Sequence, residues 1–273
     1  MHGLNKASLD PKTEVVIAPP GLFLLLVREH LKPDIEVCSQ NVFDKPNGAF
    51  TGEISAEQLS DSKIGWALCG HSERRVILCE NDDFVANKAK ASLDGGLGVI
   101  LCCGETLEQR EQNETIKIVT RQLSAVSQRI QKHDWKKLVI AYEPVWAIGT
   151  GKVASKEQAQ EVHAAIRKWL ADEVSEEAAE NTRIIYGGSV NEKNCRELAN
   201  QPDIDGFLVG GASLKPACKL TASLSPRYCA DIGCSQSSTS LMRRSRLDFR
   251  DLRCEVEKEL QSRQKVTCPK ARQ

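Results

Sequence analysis

Along the first 216 residues, hydrophobic and polar positions alternate between two textures. Short runs of β-branched and apolar residues fall at 15–18, 35–38, 66–69, 99–102, 138–142, 184–186 and 207–209, long enough for strands and too short for helices. Between most of them, polar stretches carry apolar residues at helical spacing, as in 81–93, 108–131, 155–170 and 191–199. Ser155, Lys156, Glu157 and Gln158 open one of these as a loose capping box. Strand and helix in alternation predict βα units around a parallel sheet. The strand runs are apolar throughout, which predicts cover on both faces, and a series this long predicts closure into a barrel.

The pattern stops at Pro216. Beyond it only 246–264 keeps helical spacing, with Phe249, Leu252, Val256 and Leu260 on one stripe. The expectation is an incomplete barrel over 1–216 and a poorly ordered, Cys- and Ser-rich tail over 217–273 with a candidate helix at 246–264. Charge supports the division. The net charge is zero, yet the tail has 12 basic against 6 acidic residues and the rest 25 against 31. A composition of 41% hydrophobic and 27% charged residues fits a globular core. With no membrane-length apolar run, no signal-like start and no overall basic excess, the reading is cytoplasmic, with no membrane or nucleic-acid partner. The 11 cysteines are odd in number and lack zinc spacing, so free thiols are expected and no metal site.

In parallel α/β folds the chemistry sits just after the strands. Glu143 follows one strand directly and is pinned by Pro144, which makes it a candidate general base. The segment Pro144, Val145, Trp146, Ala147, Ile148, Gly149, Thr150, Gly151 and Lys152 has an apolar tip between stiff and hinge-like residues, the makeup of a lid. It fails as a P-loop, with Trp146 in the first glycine's place and Val153 where a magnesium-binding hydroxyl is needed. His71 ends a strand just before a helix start, where the helix dipole favours a neutral ring able to donate a hydrogen bond to a carbonyl. Glu73 is a candidate to pair with a basic side chain, whereas Arg74 with Arg75 reads as a solvated or interface charge pair. His2, His30, His133 and His163 read as surface residues. Gly187-Gly188-Ser189 and Gly210-Gly211 follow the last two runs, where backbone amides of a barrel hold phosphate. Base, electrophile, lid and phosphate loops suggest proton abstraction beside a carbonyl in a small phosphorylated substrate, with no cofactor.

The segments 70–75, 141–152, 186–190 and 206–216 resemble the signatures of the triosephosphate isomerase family. The resemblance implies a (β/α)8 TIM barrel that interconverts dihydroxyacetone phosphate and glyceraldehyde 3-phosphate through an enediolate, as a homodimer. It implies Glu143 as base, His71 as electrophile, and Gly149, Ser189, Gly210 and Gly211 as phosphate ligands, with Glu73 and Cys102 in support. The resemblance further implies that the glutamate acts as base while the histidine stays neutral and polarises the carbonyl. Thr51, within 47–53, falls in the segment resembling the loop that reaches into the neighbouring subunit.

The resemblance also implies a first strand ending in Asn-x-Lys and a closing last helix, and the sequence shows neither. The expectation is a seven-strand barrel with two unpaired edges, Lys6 being on the wrong side to replace the lysine. Activity is expected to be impaired by roughly 10²–10³. An inactive variant that pairs with intact subunits or binds a partner through its tail stays open as the alternative.

Overall fold

The computed structural model describes residues 2–6, 13–148 and 153–214 and the backbone of a strand at Tyr228–Ile232. In chain order the strands are β1 Glu14–Ala18, β2 Glu36–Ser39, β3 Trp66–Cys69, β4 Gly98–Cys103, β5 Leu138–Tyr142, β6 Arg183–Tyr186, β7 Gly206–Val209 and β8 Tyr228–Ile232. The helices are α1 His2–Asn5, α2 Leu24–His30, α3 Ala56–Asp61, α4 Ser72–Ile77, α5 Asp82–Asp94, α6 Leu107–Glu111, α7 Thr115–Ser127, α8 Lys156–Glu173, α9 Glu176–Asn181 and α10 Cys195–Ala199. All seven apolar runs have become neighbouring parallel strands. The chain is a TIM barrel, closed in the order β1 to β8.

The continuous apolar character of the strands has the expected cause. Val16, Ala18, Cys38, Leu68, Ile100, Cys102, Ala141 and Ile185 fill the barrel. The alternate residues Val15, Val37, Val99, Ile140, Ile184 and Phe207 form the outer core with Val85, Val119, Val162 and Ile166 from α5, α7 and α8. Caps set the helix starts. The Asn81 side chain accepts from the Phe84 N–H to begin α5, and Ser155 with Gln158 forms a complete capping box on α8. The stretch 108–131, expected as one helix, is two, because Asn113 takes a left-handed φ of 58° between α6 and α7. Of 191–199 only Cys195–Ala199 is helical.

At the seam the structure departs from the sequence expectation. Among the described residues no strand precedes β1, yet no edge is left open. The segment Tyr228–Ile232, read as part of the tail, lies parallel between β1 and β7. Glu14 through Ala18 pair with Tyr228 through Ile232, and Gly206 through Val209 with Tyr228 through Asp231. The strand belongs to the same compact unit as the barrel, Met1–Cys234. A period-2 pattern in five residues is too short to stand out from a Ser-rich background, which is why the strand was not legible. The candidate helix at 246–264 lies outside the described residues.

His163 is a second correction. It is fully buried on α8, its Nδ1 3.1 Å from the Asp203 carbonyl and its ring edge-on to Tyr142. Burial dominates and holds its pKa down at about 4, against an ordinary value of 6.5. Between those values the unfolded chain binds a proton that the folded chain refuses, so stability is lost as pH falls from 6.5 toward 4. The expected size is on the order of 3 kcal/mol. Urea unfolding at pH 7, 5.5 and 4.5 should show that loss, and His163→Asn should flatten it. An unchanged acid slope in the variant would remove His163 as its cause.

Candidate active site

The carboxyl ends of β3 and β5 bring the two central side chains together. Gly70, at φ 73°, turns the chain out of β3 so that His71 caps α4, and Glu143 leaves β5 directly. His71 Nε2 lies 3.0 Å from Glu143 Oε1, and the Ser72 N–H donates to Glu143 Oε2 at 2.9 Å. The glutamate is 1% exposed. His71 Nδ1 accepts from the Glu73 N–H at 3.4 Å, which places the ring proton of the neutral form on Nε2, facing the carboxylate.

The pairing changes one expectation. The helix start was expected to keep His71 neutral, but in this arrangement its pKa is raised. Burial pushes it down, and the facing Glu143 carboxylate, its hydrogen bond and Glu73 together push it up further. The position of Glu143 therefore governs the charge of His71.

Packing explains why Glu143 sits where it does. A Cβ on Gly104, at the end of β4, would lie 1.7 Å from the Glu143 carbonyl oxygen. The Gln122 amide holds Gly104 by both its N–H and its carbonyl, and the Glu143 N–H donates to the Cys103 carbonyl at 2.8 Å. Gly104→Ala is therefore expected to push β4 and β5 apart at the mouth, costing at least about 2 kcal/mol and displacing the carboxylate. Chemical denaturation with a parallel activity assay checks this; an alanine variant as stable and active as the parent would contradict it.

Cys102 faces the barrel interior below, its thiol pushed well up by burial and then by Glu143, so it stays protonated and acts as packing under the carboxylate. Glu105, which the sequence offered no reason to prefer over its neighbours, is fully buried. Its Oε1 receives the Trp146 Nε1–H at 2.9 Å and the Tyr142 hydroxyl at 3.1 Å, and Arg110 lies 3.3 Å away. It thus anchors the segment that follows Glu143, of which Val145–Ala147 is a 3-10 turn. Ser189 Oγ donates to the Ala147 carbonyl at 2.7 Å. Gly149, Thr150, Gly151 and Lys152 lie outside the described residues.

The two Gly-Gly pairs differ in purpose. A Cβ on Gly187 would meet Glu143 Cγ at 3.0 Å and one on Gly188 the Tyr186 hydroxyl at 2.3 Å, so the first pair makes room for neighbours. Gly210 and Gly211 have no described atom within 4 Å of where a Cβ would lie, which among the described residues leaves their backbone accessible. A cavity of about 300 Å³ is lined by His71, Glu73, Arg74, Ser39, Gln40 and Asn41, among others. Gln40 and Asn41 were legible only as residues after a strand. The arginines are not a solvated pair. Arg74 is bonded to Glu80 at 2.8 Å, and Arg75 binds Asp82 and the Gly70 carbonyl, both at 2.8 Å. Glu73 has His71 as its basic neighbour, at 3.7 Å. Among the described lining residues Arg74 is the only Lys or Arg, and Glu80 already holds it. Exposed Lys6 follows Asn5, whose side chain bonds His30 and Lys32 at the end of α2, away from the mouth.

Comparison with known proteins gives a consistent result. The family model described as triosephosphate isomerase matches residues 1–227. A triosephosphate isomerase of Paracoccidioides lutzii is 67% identical over 214 residues, 78% of this chain and 86% of the relative. One of Aspergillus oryzae is 67% identical over 219 residues, 80% and 87% respectively. A cytosolic triosephosphate isomerase of Oryza sativa is 59% identical over 203 residues, 74% and 79%.

Proposed function

The chain belongs to the triosephosphate isomerase family and is an isomerase of a triose phosphate, and from that premise we propose how its own residues carry the reaction. Glu143 takes the proton from the carbon beside the carbonyl of glyceraldehyde 3-phosphate or dihydroxyacetone phosphate. The electron pair moves onto the carbonyl oxygen as an enediolate, the proton of the adjacent hydroxyl passes to that oxygen, and the same carboxyl returns a proton to the neighbouring carbon as the new carbonyl forms. His71 donates its Nε2–H to the oxygen where charge develops. To reach a substrate Glu143 must leave His71 and the Ser72 N–H. Its departure removes the charge that raises the imidazole, and the helix start then favours the neutral, donating ring.

The observation that carries this reading is the buried pairing of His71 Nε2 with Glu143 Oε1 at 3.0 Å between two strand ends. Gly210 and Gly211, with Gly149 and Ser189, are read as the phosphate site, and 144–152 as the lid over it. With Arg74 held by Glu80, the described mouth offers no free cation, and the rate is expected to be roughly 10²–10³ below that of a barrel with one. Phe50 and Ile54 beside Thr51, and Val76, Ile77 and Leu78 after His71, are exposed, which supports a homodimer formed through 47–53. A monomer in sedimentation equilibrium would remove that reading. The cytosolic rice relative supports a cytoplasmic location, and no described helix is long and apolar enough to cross a membrane. Isomerisation run in D2O should leave solvent deuterium on C1 of dihydroxyacetone phosphate. Product free of deuterium would exclude Glu143 as an exchanging base.

A further inference from the structure

The barrel is closed by a strand that lies past the region shared with the family. The family match ends at residue 227, and β8 is Tyr228–Ile232. We propose that this segment is a working part of the catalytic barrel, the closing strand that holds the two sides of the active-site mouth in place.

Three observations carry the inference. Without β8, β1 and β7 would be edges with a row of unpaired N–H and C=O groups, and the register of β8 runs alongside both strands over their full lengths. The rows also match. Val16 and Leu208, both interior, are level with Ala230, and Val15 and Phe207, both outer, are level with Cys229, so the backbone register of β8 links the matching rows of its two neighbours. Finally, the connection is long enough. The 13 residues between Leu214 and Tyr228 can span roughly 40 Å when extended, against the ~15 Å needed to return from the mouth to the foot of a five-residue strand.

The position of β8 matters for the site. Ala18 is level with Ile232 and leads into the loop carrying Gly21, which lines the cavity, and its carbonyl accepts from Gln40 Nε2 at 2.9 Å. Val209 is level with Asp231 and leads directly into Gly210 and Gly211. One intervening strand sets the distance between those two loops at two strand spacings, roughly 9–10 Å. Slack at the seam would let the open glycine loop drift relative to Glu143 and His71.

Hydrogen exchange on the full chain tests the strand itself. Amides of 228–232 should exchange at least roughly 100-fold more slowly than in a free peptide, in step with those of β1. Ala230→Pro should release protection in β1 and β7 and lower kcat/KM by about 100-fold, whereas Ser237→Pro, outside the strand, should alter neither. Free exchange across 228–232 in the parent overturns the proposal, as does a proline variant with β1, β7 and activity intact. The activity arm rests on the isomerase reading and the exchange arm does not, so an inactive chain with a protected β8 would count against the chemistry and leave the closing strand standing.

Discussion

Glu143→Gln should lower kcat by roughly 10²–10⁴ with a much smaller change in KM, the range expected for removing a positioned general base. Glutamine keeps the shape and can still accept from the Ser72 N–H, so the buried packing at the end of β5 survives. Its amide cannot hold the substrate proton. Thermal unfolding measured beside the kinetics separates the two effects: an unchanged melting temperature with lost turnover places the loss in chemistry. A variant that keeps more than about a tenth of the parent's kcat would remove Glu143 from the role of base.

His71→Gln should cost about 10²–10³ in kcat, the usual loss when one donor to a developing oxyanion is removed. The effect should not add to that of Glu143→Gln. The two side chains face each other in the resting site and act on the same proton transfer, so the double variant should be only slightly worse than the poorer single one. Full additivity would mean that they act in separate steps. Removing His71 also leaves the Glu143 carboxylate with the Ser72 N–H as its remaining described partner, so a modest change in stability accompanies the kinetic loss.

Much of this was legible in the sequence because the physics of a parallel barrel is local. Strands covered on both faces must be apolar throughout, and all seven runs read that way became strands. The rule that chemistry follows the strands led to His71 and Glu143, which the structure brings to 3.0 Å. What the sequence hid depends on distant neighbours. Nothing local to His163 reveals that the β5 and β6 tyrosines surround it. Nothing local to Glu105 reveals that Tyr142 and Trp146, some 40 residues on, converge upon it. The charge of His71 is not legible locally, because the helix dipole can be read from sequence order whereas the carboxylate opposite is 72 residues away. β8 does not stand out in the sequence because a strand so short is defined by the two edges that need it more than by its own composition.

This chain, with its barrel closed from its own later sequence, is expected to turn over a triose phosphate through Glu143 and His71. The most direct test is kcat/KM of the purified full-length chain on glyceraldehyde 3-phosphate, beside Glu143→Gln prepared in the same way. The expected result is isomerisation by the parent, roughly 10²–10³ slower than by a family barrel with a free cation at its mouth, and lowered by a further factor of roughly 10²–10⁴ by the substitution. A folded parent that forms no dihydroxyacetone phosphate, or a glutamine variant that forms it equally fast, would contradict it.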